Sequence, residues 1–231
     1  MLPDMEDQIR EYARIWDRCI EEGRRQSKKA SAGSQLMSVG VDKAVEMALC
    51  MAMRRLCLND LFYLMAFAMN RKDVRKQWLY DRCREVQAEP DGKLDLWARE
   101  HYKSSLITFA KTIQDILINP EITVGIFSHT KGISRGFLKQ IKFELETNTR
   151  LKRLFPEILY EDPRVDAPRA GNRWTDEGIT VKRLSNPKEA TVEAHGVVDG
   201  QPTGKHFSLL VYDDIVTLES VSTPEQIKKA T

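Results

Sequence analysis

Phe207-Ser208-Leu209-Leu210-Val211-Tyr212-Asp213-Asp214 is the stretch on which the architecture turns. Its four consecutive apolar residues, Leu209 to Tyr212, read as a buried strand, and two carboxylates emerge where it ends. An acid pair in that position can hold a Mg²⁺-bound water and orient an attacking water for phosphoanhydride hydrolysis. A strand that simply ends in an Asp turn fits the same residues.

A second stretch, far upstream, supplies the complementary chemistry. Trp97-Ala98-Arg99-Glu100-His101-Tyr102-Lys103-Ser104-Ser105 falls where a strand is expected to end and a helix to begin. A nucleoside triphosphate needs backbone N–H donors at a helix N-terminus, a Lys to offset β/γ charge and a hydroxyl to ligate Mg²⁺. Lys103 and Ser104 provide the last two. The usual GxxxxGK[ST] loop has glycines where this chain has Glu100 and Tyr102, so the plain motif is absent. Taken singly, Lys-Ser also fits an ordinary helix start on a solvated loop. The two stretches together, in this order, are what a P-loop ATPase requires, provided that both face one cleft.

Between and around them the pattern is α/β. Lys93 to Ala98 alternates like a strand; a helix is expected over about Ser104 to Leu117, then a strand over Ile122 to Phe127 ending in Ser128-His129-Thr130. The next helix, Gly132 to about Asn148, takes Ile133, Phe137, Leu138, Ile141 and Leu145 as its apolar stripe. Turns occupy 156 to 178, and strands follow at Ile179 to Leu184, Ala190 to His195 and Phe207 to Tyr212. This is the grammar of a largely parallel sheet, in which ligands bind beyond the carboxyl ends of the strands.

Residues 1–90 read as a separate helical region and 91–231 as the nucleotide-binding core. Ile9, Tyr12, Ala13, Trp16 and Ile20 share one helix face. Arg24 to Gly40 lacks an apolar period and reads as a linker. Val41 to Leu58 and Leu61 to Met69 read as buried helices with a turn or N-cap at Asn59-Asp60. A further helix near Asp73 to Gln87 carries Trp78, Leu79 and Cys83.

Composition narrows the possibilities. The 231 residues hold 36 Lys+Arg against 34 Asp+Glu, a net charge of +2. That balance excludes a basic nucleic-acid tail and an acidic disordered activator. At 42% hydrophobic and 30% charged, the chain can bury a sizeable core. The longest apolar run, Leu61 to Met69, is too short to cross a bilayer, and no secretory signal opens the chain, so a cytosolic protein is expected. Cys19, Cys50, Cys57 and Cys83 form no CxxC pair. With His101, His129, His195 and His206 they show no metal spacing, and packed free thiols are expected.

Several phrases taken in order make the chain resemble the large terminase subunit of tailed bacteriophages, the ATP-driven motor that packages DNA. The resemblance covers 70–231. It rests on Gln77-Trp78-Leu79-Tyr80-Asp81-Arg82-Cys83, on Leu94 to Ser105, on Ile126-Phe127-Ser128-His129-Thr130, on Leu154-Phe155-Pro156, on Ala190-Thr191-Val192-Glu193-Ala194, and on Gly200-Gln201-Pro202-Thr203-Gly204-Lys205 ahead of Val211-Tyr212-Asp213-Asp214. It implies an ASCE-type P-loop fold, a mostly parallel sheet flanked by helices, with Walker A and Walker B elements and a helical region ahead of them.

It also implies roles. Lys103 is the phosphate-binding lysine, Ser104 a Mg²⁺ ligand and Asp213 the other, and Arg99 offsets γ-phosphate charge. Asp214 stands where relatives have a catalytic glutamate, with Glu219 as a less apt substitute. Glu100, His101, Tyr102 and Ser105 line the phosphate loop, and Gln77 or Trp78 contacts adenine. The ligands implied are ATP and Mg²⁺. The partners are double-stranded viral DNA, a portal protein, a small terminase subunit and further copies in a homo-oligomeric ring, a pentamer in the family. The setting is the bacterial host cytoplasm and, transiently, the procapsid portal vertex. Relatives continue past the Walker B strand into a coupling strand and a nuclease domain, so this chain reads as the ATPase part truncated after that strand, without DNA cleavage.

Two other functions fit the sequence: an impaired terminase fragment that binds nucleotide or partner proteins only, and another P-loop machine such as a helicase or recombinase. Lys131, Arg135, Lys139 and Lys142 lie along one helix, where they form either a solvated face or a row of phosphate contacts. Arg135 can alternatively reach a neighbouring subunit's nucleotide.

Overall fold

A computed structural model of the protein describes residues 4–30, 37–89, 92, 94–98, 100–198 and 202–216. The chain divides into two compact units between Asp91 and Gly92.

The first unit is helical. α1 (Met5–Ala30) lies against α2 (Met37–Asn59). α3 (Leu61–Tyr63) runs directly into a π-helical turn at Leu64–Ala68, and α4 (Gln77–Ala88) follows a short 3-10 turn at Lys72–Val74. The linker expected over Arg24 to Gly40 is corrected: helix continues to Ala30 and resumes at Met37, with 31–36 outside the described residues. Arg, Gln, Lys and Ala are strong helix formers, so an extended polar end needs no apolar stripe of its own. The burial expected for α2 is corrected too. Its apolar residues are spread around the axis, and Met47 and Met51 are exposed.

The core of this unit is Leu61 to Ala68, almost wholly buried. Asp60 organises it. Its carboxylate caps α3 by accepting from Tyr63 N (3.0 Å), accepts from the Tyr12 hydroxyl of α1, and pairs with Arg84 of α4 at 2.6 Å. One buried acid thus ties three helices, and Tyr12, Tyr63 and Phe67 pack as an aromatic cluster beside it.

The second unit is α/β: a four-stranded, mostly parallel sheet flanked by helices. Its strands are β1 (Val124–Ser128), β2 (Gly178–Ile179), β3 (Val192–Gly196) and β4 (Leu209–Tyr212), in the order β2-β3-β1-β4. β1 is parallel to β3 and to β4; β2 is antiparallel to β3. A helical segment with π winding at Ser105–Lys111 passes into α5 (Thr112–Ile118) and precedes β1. α6 (Lys131–Thr147) packs on β1 and β3, and α7 (Thr149–Leu154) and α8 (Pro163–Arg169) follow.

Four expectations are corrected here. Residues 94–98 form no strand; alternation needs a neighbouring edge to satisfy the backbone, and Leu94 and Leu96 are exposed. The strand at Ile179 to Leu184 shrinks to Gly178–Ile179, because Lys182 N turns to Ile158 O (2.9 Å) instead of a ladder. The turn region 156 to 178 contains α8, capped by Asp162 with Pro163 at its first position. The buried stripe of α6 is Ser134, Leu138, Ile141 and Leu145, leaving Ile133 exposed.

β4 departs from expectation in its surroundings. It stands at the edge of the described sheet, with Leu210 47% and Tyr212 56% exposed, whereas β1 is buried throughout. At its amino end Thr123 and Ser208 exchange hydrogen bonds of 2.9 to 3.1 Å that fix its register on β1. Gly125 lies under the Phe207 ring, where a Cβ would come within 2.8 Å. These contacts decide which residues leave β4 at the carboxyl edge.

Candidate active site

β1 and β4 end side by side. Asp213 N donates to Phe127 O (2.9 Å) and His129 N to Asp214 O (3.3 Å), which pins both acids to the carboxyl end of β1. Asp213 is 2% exposed; Asp214 is exposed, its side chain at 69%, with φ at +51°.

Lys103 reaches this edge from its loop. Its Nζ lies 3.1 Å from Asp213 Oδ1 and 3.0 Å from Asp214 Oδ1, across 111 positions of sequence to the latter. Burial works against the charged amine, but hydrogen bonds to Asp214 and Asp213 outweigh it and the Lys103 pKa is raised. The loop ahead of it has a particular backbone. Glu100 (φ +65°) and Tyr102 (φ +62°) both occupy the left-handed region, and Tyr102 stands where the GxxxxGK[ST] loop has the glycine that precedes its lysine. Each costs about 1–2 kcal/mol for a residue bearing a Cβ.

The hydroxyl that meets Asp213 is that of Thr108, at 2.7 Å to Oδ2. Ser104 and Ser105 are half-buried at the start of the same helical segment, and neither contacts Asp213 among the described residues. Thr108 is the residue that sequence reasoning missed. Its signal was a lone hydroxyl among the buried Leu106, Phe109 and Ala110. His101 is exposed and Tyr102 half-buried. Arg99 and Glu219 lie outside the described residues. Gln77 belongs to the first unit, where it donates to Asp81 (2.9 Å) and accepts from Met5 N (2.8 Å).

The donor set suits a small hard cation. Asp213 offers a buried carboxylate whose Oδ1 meets only the Lys103 ammonium, while Oδ2 is taken by Thr108, and carboxylate oxygens are what Mg²⁺ takes. The ammonium beside it matches a polyphosphate.

Two other charged groups are neutralised within the unit. Lys205 of the Thr203-Gly204-Lys205 turn grips Glu193 of β3 (2.7 Å to Oε1), and that buried carboxylate also meets His195 at 3.3 Å and Arg173 at 3.6 Å. Burial raises the Glu193 pKa, but hydrogen bonds from His195 and Lys205 overcome this and hold it down at about 2. On α6, Lys131 and Arg135 share Glu177, and Lys142 pairs with Asp176 at 3.0 Å. The helix's basic row therefore faces acids of its own unit.

Among known proteins, no family model matches the chain and no curated protein matches it significantly.

Proposed function

We propose that the second unit is a P-loop ATPase core of ASCE type that binds ATP with Mg²⁺ where β1 and β4 end and hydrolyses the γ-phosphate. We read it as the motor domain of a phage DNA-packaging large terminase subunit. The observation that carries the reading is the convergence of Lys103 with Asp213 and Asp214 within 3.1 Å at the carboxyl edge of a parallel sheet. The left-handed backbone at Glu100 and Tyr102 supports it, since a phosphate loop needs such turns to present N–H groups.

In this reading Lys103 offsets phosphate charge, and Asp213 holds Mg²⁺ with a hydroxyl from Ser104 or Thr108. Held there by Asp213 and that hydroxyl, Mg²⁺ would supply charge neutralisation for the phosphates. Asp214, exposed and adjacent, accepts a proton from the attacking water. Its 3.0 Å contact with Lys103 must give way to the phosphates, which frees the carboxylate for that task. Arg99 adds transition-state charge compensation. The work driven is translocation of double-stranded DNA through a portal, with a small terminase subunit and a ring of copies as partners, in the host cytoplasm.

The exposure of Leu210 and Tyr212 on β4, at the edge of the described sheet, favours a second reading, an impaired fragment that binds nucleotide or partner proteins without turnover, because parallel sheets have both faces covered. Titration calorimetry with Mg·ATP, run beside phosphate release, separates the readings. We expect wild-type binding and, in Lys103→Ala, affinity lower by on the order of 100-fold with turnover abolished. Binding that survives the substitution unchanged removes the phosphate site, whereas binding without phosphate release selects the second reading.

A further inference from the structure

Ser128, the last residue of β1, is a polar group that none of these roles employs. It is fully buried, and its Oγ has no hydrogen-bond partner among the described residues. Its main chain is already committed, with the carbonyl accepting from Val197 N at 2.9 Å. A buried hydroxyl left unpaired is destabilising, so its persistence calls for a function.

Its position supplies one. The β1–β4 ladder runs through Phe127 opposite Tyr212, and one step further Ser128 and Asp213 are neighbours. Strand alternation puts Ser128 on the face of Val124 and Ile126, and Asp213 on the matching face of Leu209 and Val211. The groups already at this edge are Lys103, Thr108, Asp213 and Asp214; Oδ2 of Asp213 accepts from Thr108, and Oδ1 lies 3.1 Å from the Lys103 ammonium. An unpaired hydroxyl therefore stands beside a carboxylate whose Oδ1 is held only by the Lys103 ammonium, a contact that bound phosphates would draw away.

Resting on the nucleotide reading above, we infer that Ser128 is a positioning residue of this site: its hydroxyl hydrogen-bonds a water of the Mg²⁺ hydration shell that Asp213 holds. Mg²⁺ keeps several of its waters in protein sites, so a group one layer out acts on the ion through them. Partners in that outer layer are typically worth 10- to 100-fold in metal affinity.

The test uses the full chain as wild type, Ser128→Ala, Ser128→Thr and Lys103→Ala. Mn²⁺ is titrated onto the nucleotide-bound protein by electron paramagnetic resonance, nucleotide affinity is measured in EDTA, and free-protein melting is recorded. Ser128→Ala should keep the EDTA affinity, weaken Mn²⁺ binding about tenfold and raise the free-protein Tm by a few degrees, because an unpaired buried hydroxyl has been removed. Ser128→Thr, which keeps the hydroxyl, should retain Mn²⁺ affinity close to wild type. Unchanged Mn²⁺ affinity in Ser128→Ala overturns the assignment. So does a lowered Tm, which would mean that the hydroxyl serves a structural water only. Both results leave the nucleotide reading standing if Lys103→Ala still abolishes binding; nucleotide binding indifferent to Lys103 removes the reading and this inference together.

Discussion

Glu100 and Tyr102 show how a single backbone angle carries information that residue identity conceals. Both sit at positive φ, a conformation glycine enters freely and other residues enter at a cost. Glu100 is exposed, so Glu100→Gly relieves strain with little loss of packing. Urea unfolding of this variant should show a gain of about 1 kcal/mol in the second unit. A loss would mean that the side chain contributes more than its strained backbone costs. Lys103, Asp213 and Asp214 were legible as residue types at strand and helix ends. Thr108 was not, because an α-helical reading sets residues five apart on different sides. Thr108 lies in the π-wound stretch Ser105–Lys111, which changes which residues share a face, and its hydroxyl meets Asp213 there.

Elements depend on their neighbours in a way no linear pattern records. Leu94, Leu96 and Ala98 alternate as well as any strand in the chain, yet this stretch is irregular, since a strand exists only as one side of a ladder. β4 kept its expected place just ahead of the acid pair but lies at the edge of the described sheet, with Leu210 and Tyr212 exposed. The row of cations on α6 read as a face for solvent or phosphates. The acids Asp176 and Glu177, more than 30 positions away, occupy it.

In the first unit, Asp60 read as a turn or cap, and it is also the acid that binds Tyr12 and Arg84. Asp60→Ala removes the cap and leaves the Arg84 charge without its buried partner. It should destabilise the helical unit by about 3–5 kcal/mol, monitored by far-ultraviolet circular dichroism during denaturation. A cost below about 1 kcal/mol would show that the three-helix tie is replaced by solvent.

At the scale of a whole unit, Glu193 makes the α/β part of the molecule sensitive to acid. Glu193 is held at about 2 by Lys205 and His195, against an ordinary value of 4.5. Its folded pKa is depressed, so the associated stability is complete above pH 4.5 and is lost as pH falls from there towards 2. The shift corresponds to about 3 kcal/mol. Glu193→Gln should lower stability at pH 7 by that order, and the gap from wild type should close by about pH 2 in guanidinium titrations. A gap independent of pH would place its origin in packing rather than in charge.

The residue order was enough to establish a helical segment ahead of an α/β segment, a parallel-sheet grammar, and a lysine and an acid pair placed where ligands meet such sheets. Those features follow from local periodicity and turn chemistry, which act over a few residues. The approach of Lys103 to Asp213, the choice of Thr108, the edge position of β4 and the burial of Glu193 against Lys205 arise differently. Each joins residues distant in the chain whose meeting is set by ladder register and helix winding, and those are properties of packed elements rather than of any one segment.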